Sequence, residues 1–325
     1  MTDLPPEPPT VYIERDGRIG SILLNRPKAL NALDLGMIEM IQAGLDAWRD
    51  DPDVAAIVIE GAGGRAFCAG GDIRAIRDLV LADDRDGVER FFQAEYALNL
   101  AIARYPKPFV ALIDGICMGG GIGLSIHGSA RVATEAAQFA MPETGIGFFP
   151  DVGATFALPR LRGAIGMYMA LTGARLAGAD ATFAGIATHF VPRERLASLR
   201  ADLAEHGVAA LAAAAVPAPA ELPALMDQIR CFEADSVPAI VSRLEQLGTP
   251  WSQQTLATLR SVSPSAVLWT FDAVRKGARL TLEAALQNEL ALTRTITRHP
   301  DMAEGVRAMV VDKDRTPLWV PARID

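Results

Sequence analysis

Two carboxylates, Glu143 and Asp151, share one short segment, Phe139-Ala-Met-Pro-Glu-Thr-Gly-Ile-Gly-Phe-Phe-Pro-Asp-Val-Gly153. Their neighbours are mostly Met, Phe, Pro and Gly. An apolar setting raises a carboxylate's pKa and suits it to act as base, acid or nucleophile. Taken alone, each reads as a turn carboxylate bonding nearby N–H groups, because Pro-Glu and Pro-Asp are common turn pairs. The chemistry enters through what surrounds them.

Two glycine-rich turns supply that context. Arg65-Ala-Phe-Cys-Ala-Gly-Gly-Asp-Ile73 follows a buried strand and precedes a helix. Asp114-Gly-Ile-Cys-Met-Gly-Gly-Gly-Ile-Gly123 does the same further along. Glycine lets the backbone turn sharply and approach a ligand. Free N–H groups at such turns, and at a helix start, favour developing negative charge. Either turn alone reads as ordinary strand-to-helix packing. Two together fit a thioester carbonyl held by one donor from each loop.

Other chemistries lack their residues. No Lys-Ser/Thr follows the glycines, so there is no phosphate-cradling P-loop, and the GxGxxG spacing of dinucleotide folds is missing. There is no GxSxG nucleophile elbow. His127, His189, His206 and His299 are scattered without ligand spacing, so no metal site is expected. Cys68 lies inside the first glycine turn and reads as a small buried thiol.

The elements that must position these groups form an α/β pattern. Val11 to Leu24 reads as a hairpin about Asp16-Gly17. Asp34 caps a helix carrying Met37, Ile38, Ile41, Leu45 and Trp48. Val54–Glu60 and Phe109–Asp114 are short buried strands, Val88–Arg104 an amphipathic helix, Ile122–His127 a short helix and Arg131–Thr134 another strand. The Ala-rich stretches Ala170–Gly178 and Ala201–Ala215 read as helices, and Val216–Pro223 as a linker. Beyond it lie helices over Gln253–Arg260, Pro264–Lys276 and Thr281–Thr297. The expected organisation is a flexible tail over 1–10, a core over 11–215 and a helical region over 216–325.

Composition narrows the partners. A net charge of −8 over 325 residues argues against nucleic-acid binding, which needs a basic surface. No apolar run is long enough to span a bilayer. Cys68, Cys117 and Cys231 show no pairing pattern and read as reduced thiols. With no leader in Met1–Thr10, the expected compartment is the cytosol.

Asn25-Arg-Pro-Lys-Ala-Leu-Asn-Ala-Leu33, Ala66-Phe-Cys-Ala-Gly-Gly-Asp72 and Gly115-Ile-Cys-Met-Gly-Gly-Gly121 resemble, in order and spacing, the crotonase superfamily of enoyl-CoA hydratases and isomerases. The resemblance covers about Val11 to Ala322 and implies a spiral of ββα turns with a helical C-terminal region. It implies that the N–H groups of Ala69 and Gly120 polarise an acyl-CoA carbonyl. Glu143 and Asp151 are then catalytic, with Gly70, Gly71, Asp72, Gly119, Gly123 and Lys28 against the substrate. Coenzyme A is part of the substrate, and neither metal nor cofactor is required. Arg26, Lys28, Arg65 and Arg74 are candidates for the CoA phosphates.

Within the superfamily, Glu143–Gly153 is most similar to the subfamily that hydrolyses 3-hydroxyisobutyryl-CoA. So are Ala187-Thr-His-Phe-Val191, Glu304-Gly-Val-Arg-Ala308 and Asp312-Lys-Asp314. Hydratases place a first carboxylate just after the glycine triplet, where this chain has Gly123. The resemblance therefore implies thioester hydrolysis, with 3-hydroxypropionyl-CoA as a neighbouring substrate. Enoyl-CoA hydration or isomerisation, and a non-catalytic acyl-CoA-binding protein, are the alternatives. The resemblance also implies a homo-oligomer, since such proteins often form trimers or pairs of trimers, with the helical tail folded over its own core as the alternative.

Overall fold

A computed structural model describes residues 8–321. Most of the expected N-terminal tail and the last four residues lie outside them. The first strands, β1 (Val11–Asp16) and β2 (Ile19–Leu24), form the expected antiparallel hairpin. Gly17 turns it with φ 56°, packed against the Ala204 carbonyl. Asp34 caps α1 (Leu35–Trp48) by accepting the Met37 N–H at 2.8 Å.

The chain then repeats one move. It lays a strand in a six-stranded sheet, a strand in a second sheet, and then a helix or turn. The first pass is β3 (Ala56–Gly61), β4 (Ala66–Cys68), α2 (Ile73–Leu81) and α3 (Arg85–Ala103). The second is β5 (Phe109–Ile113), β6 (Ile116–Met118) and α4 (Gly120–Ile126). The third is β7 (Ala130–Ala133), β8 (Gln138–Ala140) and a helical turn over Glu143–Ile146. With β9 (Leu176–Ala177) and β10 (His189–Phe190), the sheets run β1-β2-β3-β5-β7-β10 and β4-β6-β8-β9. This is the spiral of ββα turns expected from the sequence. Strands β3 and β5 are almost wholly buried and apolar, as parallel strands covered on both faces must be.

Register in the second sheet builds the site. The parallel strands β4, β6 and β8 align Cys68 with Cys117, Cys117 with Phe139 and Met118 with Ala140. They end together, so the turns after Cys68, Met118 and Ala140 leave along one edge.

Two sequence expectations fail at glycines. The helix expected over Ala170–Gly178 stops at Thr172, because Gly173 adopts φ 64°. Leu176–Ala177 then pairs with β8, and a new helix starts at Gly178. Likewise Ala201–Ala215 is broken at Gly207, φ 67°. Alanine content favours helix, but a left-handed glycine ends one. The C-terminal helices, including Pro250–Ser261, Pro264–Gly277 and Leu282–Ile296, fall where expected. Thr249, Ser263 and Thr281 cap them through their hydroxyls.

Candidate active site

The three turns close around a cavity of about 650 Å³. Ala69, Gly70 and Gly71 line one side, Gly119 and Gly120 another, and Glu143, Glu95 and Asp151 the depth. Phe91, Phe92 and Phe148 form an apolar wall, with the Phe92 and Phe148 rings stacked at 5.6 Å.

Backbone hydrogen bonding decides which amides are available. The Ala69 N–H donates to Leu30 O at 3.0 Å, so it is already used and the role expected for it is not met. The Gly70 carbonyl accepts from Leu33 and the Asp72 N–H donates to Leu33 O, which leaves the Gly71 N–H between them without a partner among the described residues. The Gly120 N–H, at the first position of α4, has none either. The two face the same space: a Cβ on Gly120 would lie 3.2 Å from Gly71 N. The amide pair is thus Gly71 and Gly120.

Glycine leaves room for the carboxylates. Gly119 has φ 49°, and a Cβ there would meet Glu143 Oε1 at 2.9 Å. On Gly120 it would meet Glu95 Oε1 at 2.5 Å. The carboxyls of Glu95 and Glu143 therefore lie directly against the glycine triplet.

Glu95, Glu143 and Asp151 are all buried, at 3, 7 and 5% exposure, and no ion pair reaches them among the described residues. Burial pushes the Glu143 carboxyl well above the carboxylate range, and repulsion from Asp151 adds to this. Burial raises Glu95 well above its ordinary value too, again helped by Asp151. Asp151 is pushed up to about 7 by burial, although the Tyr96 hydroxyl donates to its Oδ2 at 2.7 Å and favours the ion. One Glu143 oxygen and one Glu95 oxygen have no hydrogen-bond partner among the described residues. The three buried carboxyls interact, so the proton affinity of each depends on the charge of its neighbours.

Other expected residues fall elsewhere. Gly123 is not in the cavity: Val152 packs over it, and a Cβ there would lie 2.6 Å from Val152 Cβ and 3.1 Å from Asn99 Nδ2. Protein, not substrate, lies against Gly123. Asp72 caps α2 and pairs with Arg26 at 3.0 Å, which makes it structural. Arg26 also pairs with Asp34 at 3.3 Å, and Arg74 donates to Val310 O. Lys28 and Arg65 are exposed and outside the cavity lining. The cation that does line it is Arg175, exposed, with no ion pair among the described residues.

Cys68 is fully buried and its thiol is pushed up to about 12 by burial, which removes it as a nucleophile. Glu95 and Tyr96 escaped the sequence reading. Their signal was a carboxylate and a phenol on the buried stripe of α3, in step with Phe92 and Asn99.

The profile of the enoyl-CoA hydratase/isomerase family matches residues 19–325, and the chain belongs to that family. It is 46% identical to the mitochondrial 3-hydroxyisobutyryl-CoA hydrolase of Xenopus tropicalis, over 96% of this chain and 85% of that protein. It is 45% identical to the protein of that name from Homo sapiens, over 96% and 84%.

Among solved structures it matches a carnitinyl-CoA dehydratase from Mycobacterium thermoresistibile with TM-score 0.93 at 40% identity, covering 97% of this chain and 92% of that one. An enoyl-CoA hydratase from Rhodobacter sphaeroides 2.4.1 matches with TM-score 0.90 at 40% identity, covering 97% and 94%. The curated relatives' names place them in mitochondria, which overturns the cytosolic expectation. That expectation leaned on the missing targeting signal and on reduced thiols, and reduced thiols do not distinguish the two compartments.

Proposed function

We propose that this chain hydrolyses the thioester of 3-hydroxyisobutyryl-CoA, giving 3-hydroxyisobutyrate and CoA, a step of valine breakdown. The observation that carries the reading is the pair of unpartnered amides, Gly71 and Gly120, facing a cavity that holds Glu143 and Asp151. The curated relatives' names support the substrate.

In this reading the thioester oxygen accepts from both amides. As negative charge develops on that oxygen the two bonds strengthen, and losing one such donor costs about 3 kcal/mol in a barrier. Ionised Glu143 supplies the electron pair, by direct attack to form an anhydride that water then opens, or by taking a proton from the water that attacks the carbonyl. Asp151, poised near neutrality, gives a proton to the departing thiolate or holds the 3-hydroxyl. Glu95, against Gly120, meets the substrate from the other side. Arg175 faces the phosphates of CoA. Every step uses groups of this chain, and none calls for a cofactor.

Enoyl-CoA hydration is the second reading, favoured by the names of the two solved structures at 40% identity. Against it stands Val152, packed over Gly123 where a hydratase carries its first carboxylate. The test is thiol release from 3-hydroxyisobutyryl-CoA with crotonyl-CoA in parallel. Thiol release without hydration is expected; hydration without thiol release overturns the proposal, and silence on both favours a binding protein.

A further inference from the structure

We propose that Glu289 and His127 are positioning residues for Asp151, acting together by clamping the peptide that follows it. The inference rests on the role given to Asp151 above. Val152 has φ 55°, a left-handed conformation that a β-branched residue adopts only under constraint. Gly153 follows with φ 79°. Both polar groups of the peptide joining them are held from outside the segment. The Val152 carbonyl accepts from His127 Nε2 at 2.8 Å, at the C-terminal end of α4. The Gly153 N–H donates to Glu289 Oε2 at 2.7 Å, in the helix Leu282–Ile296.

The clamp has further holds. Glu289 is 2% exposed, and its Oε1 accepts the Thr155 N–H at 3.0 Å and the Thr155 hydroxyl at 2.5 Å. One helical turn on, Thr293 meets the Tyr96 hydroxyl at 3.1 Å, the same hydroxyl that donates to Asp151. One face of the Leu282–Ile296 helix thus reaches Asp151 through Gly153 and through Tyr96. A Cβ on Gly153 would strike the His127 ring and come within 2.8 Å of Leu282.

The protonation states suit the task. A carbonyl only accepts, so His127 carries its proton on Nε2, and burial lowers its pKa to about 4 and keeps it neutral. Burial raises Glu289 to about 8, and its Oε2 accepts the Gly153 N–H as carboxylate or as acid carbonyl.

The test compares Glu289→Met, Glu289→Gln and His127→Phe, alone and with Asp151→Asn. Misplacing a reacting group by about 1 Å costs on the order of 100-fold, so Glu289→Met and His127→Phe should each lower kcat about 10- to 100-fold with KM nearly unchanged. Glu289→Gln, which keeps an acceptor oxygen, should restore most of the rate. In the Asp151→Asn background neither substitution should slow the enzyme further. Full rates in the single variants, or losses that multiply with Asp151→Asn, overturn the proposal. Should Glu289→Met fail to fold, His127→Phe tests the clamp from the other side.

Absence of thiol release by the wild type would sink the functional reading alone. The crystal structure of Glu289→Met still reads the clamp. Val152 relaxing to negative φ with Asp151 displaced supports it, and an unchanged segment overturns it.

Discussion

Replacing Gly120 by Ala separates the chemistry from the fold. Gly120 opens α4 and lies outside the left-handed region, so alanine is allowed there. Gly to Ala inside a helix gains up to about 1 kcal/mol of stability. The new methyl would meet Glu95 Oε1 at 2.5 Å, the movable end of a side chain, and Gly71 N at 3.2 Å. An N–H holds an oxygen at about 2.7–3.2 Å, so the methyl occupies the place of the thioester oxygen. Losing that placement costs about 3–4 kcal/mol, a drop of about 10²- to 10³-fold in kcat. The assay is thiol release beside thermal unfolding. Low activity with an unchanged or raised Tm is expected. Wild-type turnover by Gly120→Ala would refute the placing of the oxygen between these two amides.

Glu143→Gln should lose about 10²-fold or more in kcat while the protein still binds CoA, measured by calorimetry. Single turnover in ¹⁸O-water reads its role: label entering Glu143 marks direct attack, because no water route places oxygen there. Because burial and Asp151 raise the Glu143 pKa, and the ion is the active form, kcat/KM should fall with decreasing pH well above the ordinary carboxylate range. Asp151→Asn removes one cause of the shift and should move that limb to lower pH; an unmoved limb would deny the coupling. Gly123→Glu should not create a hydratase. Its side chain meets Val152, and overpacking of this kind costs about 1–3 kcal/mol, read as a lower Tm with no turnover of crotonyl-CoA. Iodoacetamide applied to the native protein should leave Cys68 and Cys117 unlabelled and activity intact, since both thiols are buried with raised pKa values.

The spiral and the three turns were legible because each turn is written locally, as a buried strand followed by glycines. The short strands β4, β6, β8 and β9 were not, since two or three residues carry no period of their own and exist through pairing. Glu143 and Asp151 stood out within an apolar run. The donor amide did not, because Ala69 and Gly71 differ only in whether Leu30 or Leu33 has already used the neighbouring backbone. Gly123 was expected against the substrate, but Val152, 29 positions away and held in a left-handed conformation, packs over it instead. Lone residues such as Lys28 gave no sign of which face they would take.

The hydrogen bond from Gly153 to Glu289 spans 136 positions of chain, and that between Tyr96 and Thr293 spans 197. Contacts of such separation form late, after much loop entropy has been lost. During synthesis the strands and glycine turns leave the ribosome first, while the helix that grips Asp151 is among the last segments to appear. Until it docks, the Gly153 N–H and the Tyr96 hydroxyl lack their partners Glu289 and Thr293. A polypeptide cut short before Leu282 would have the turns of the cavity without this hold on the segment that carries Asp151.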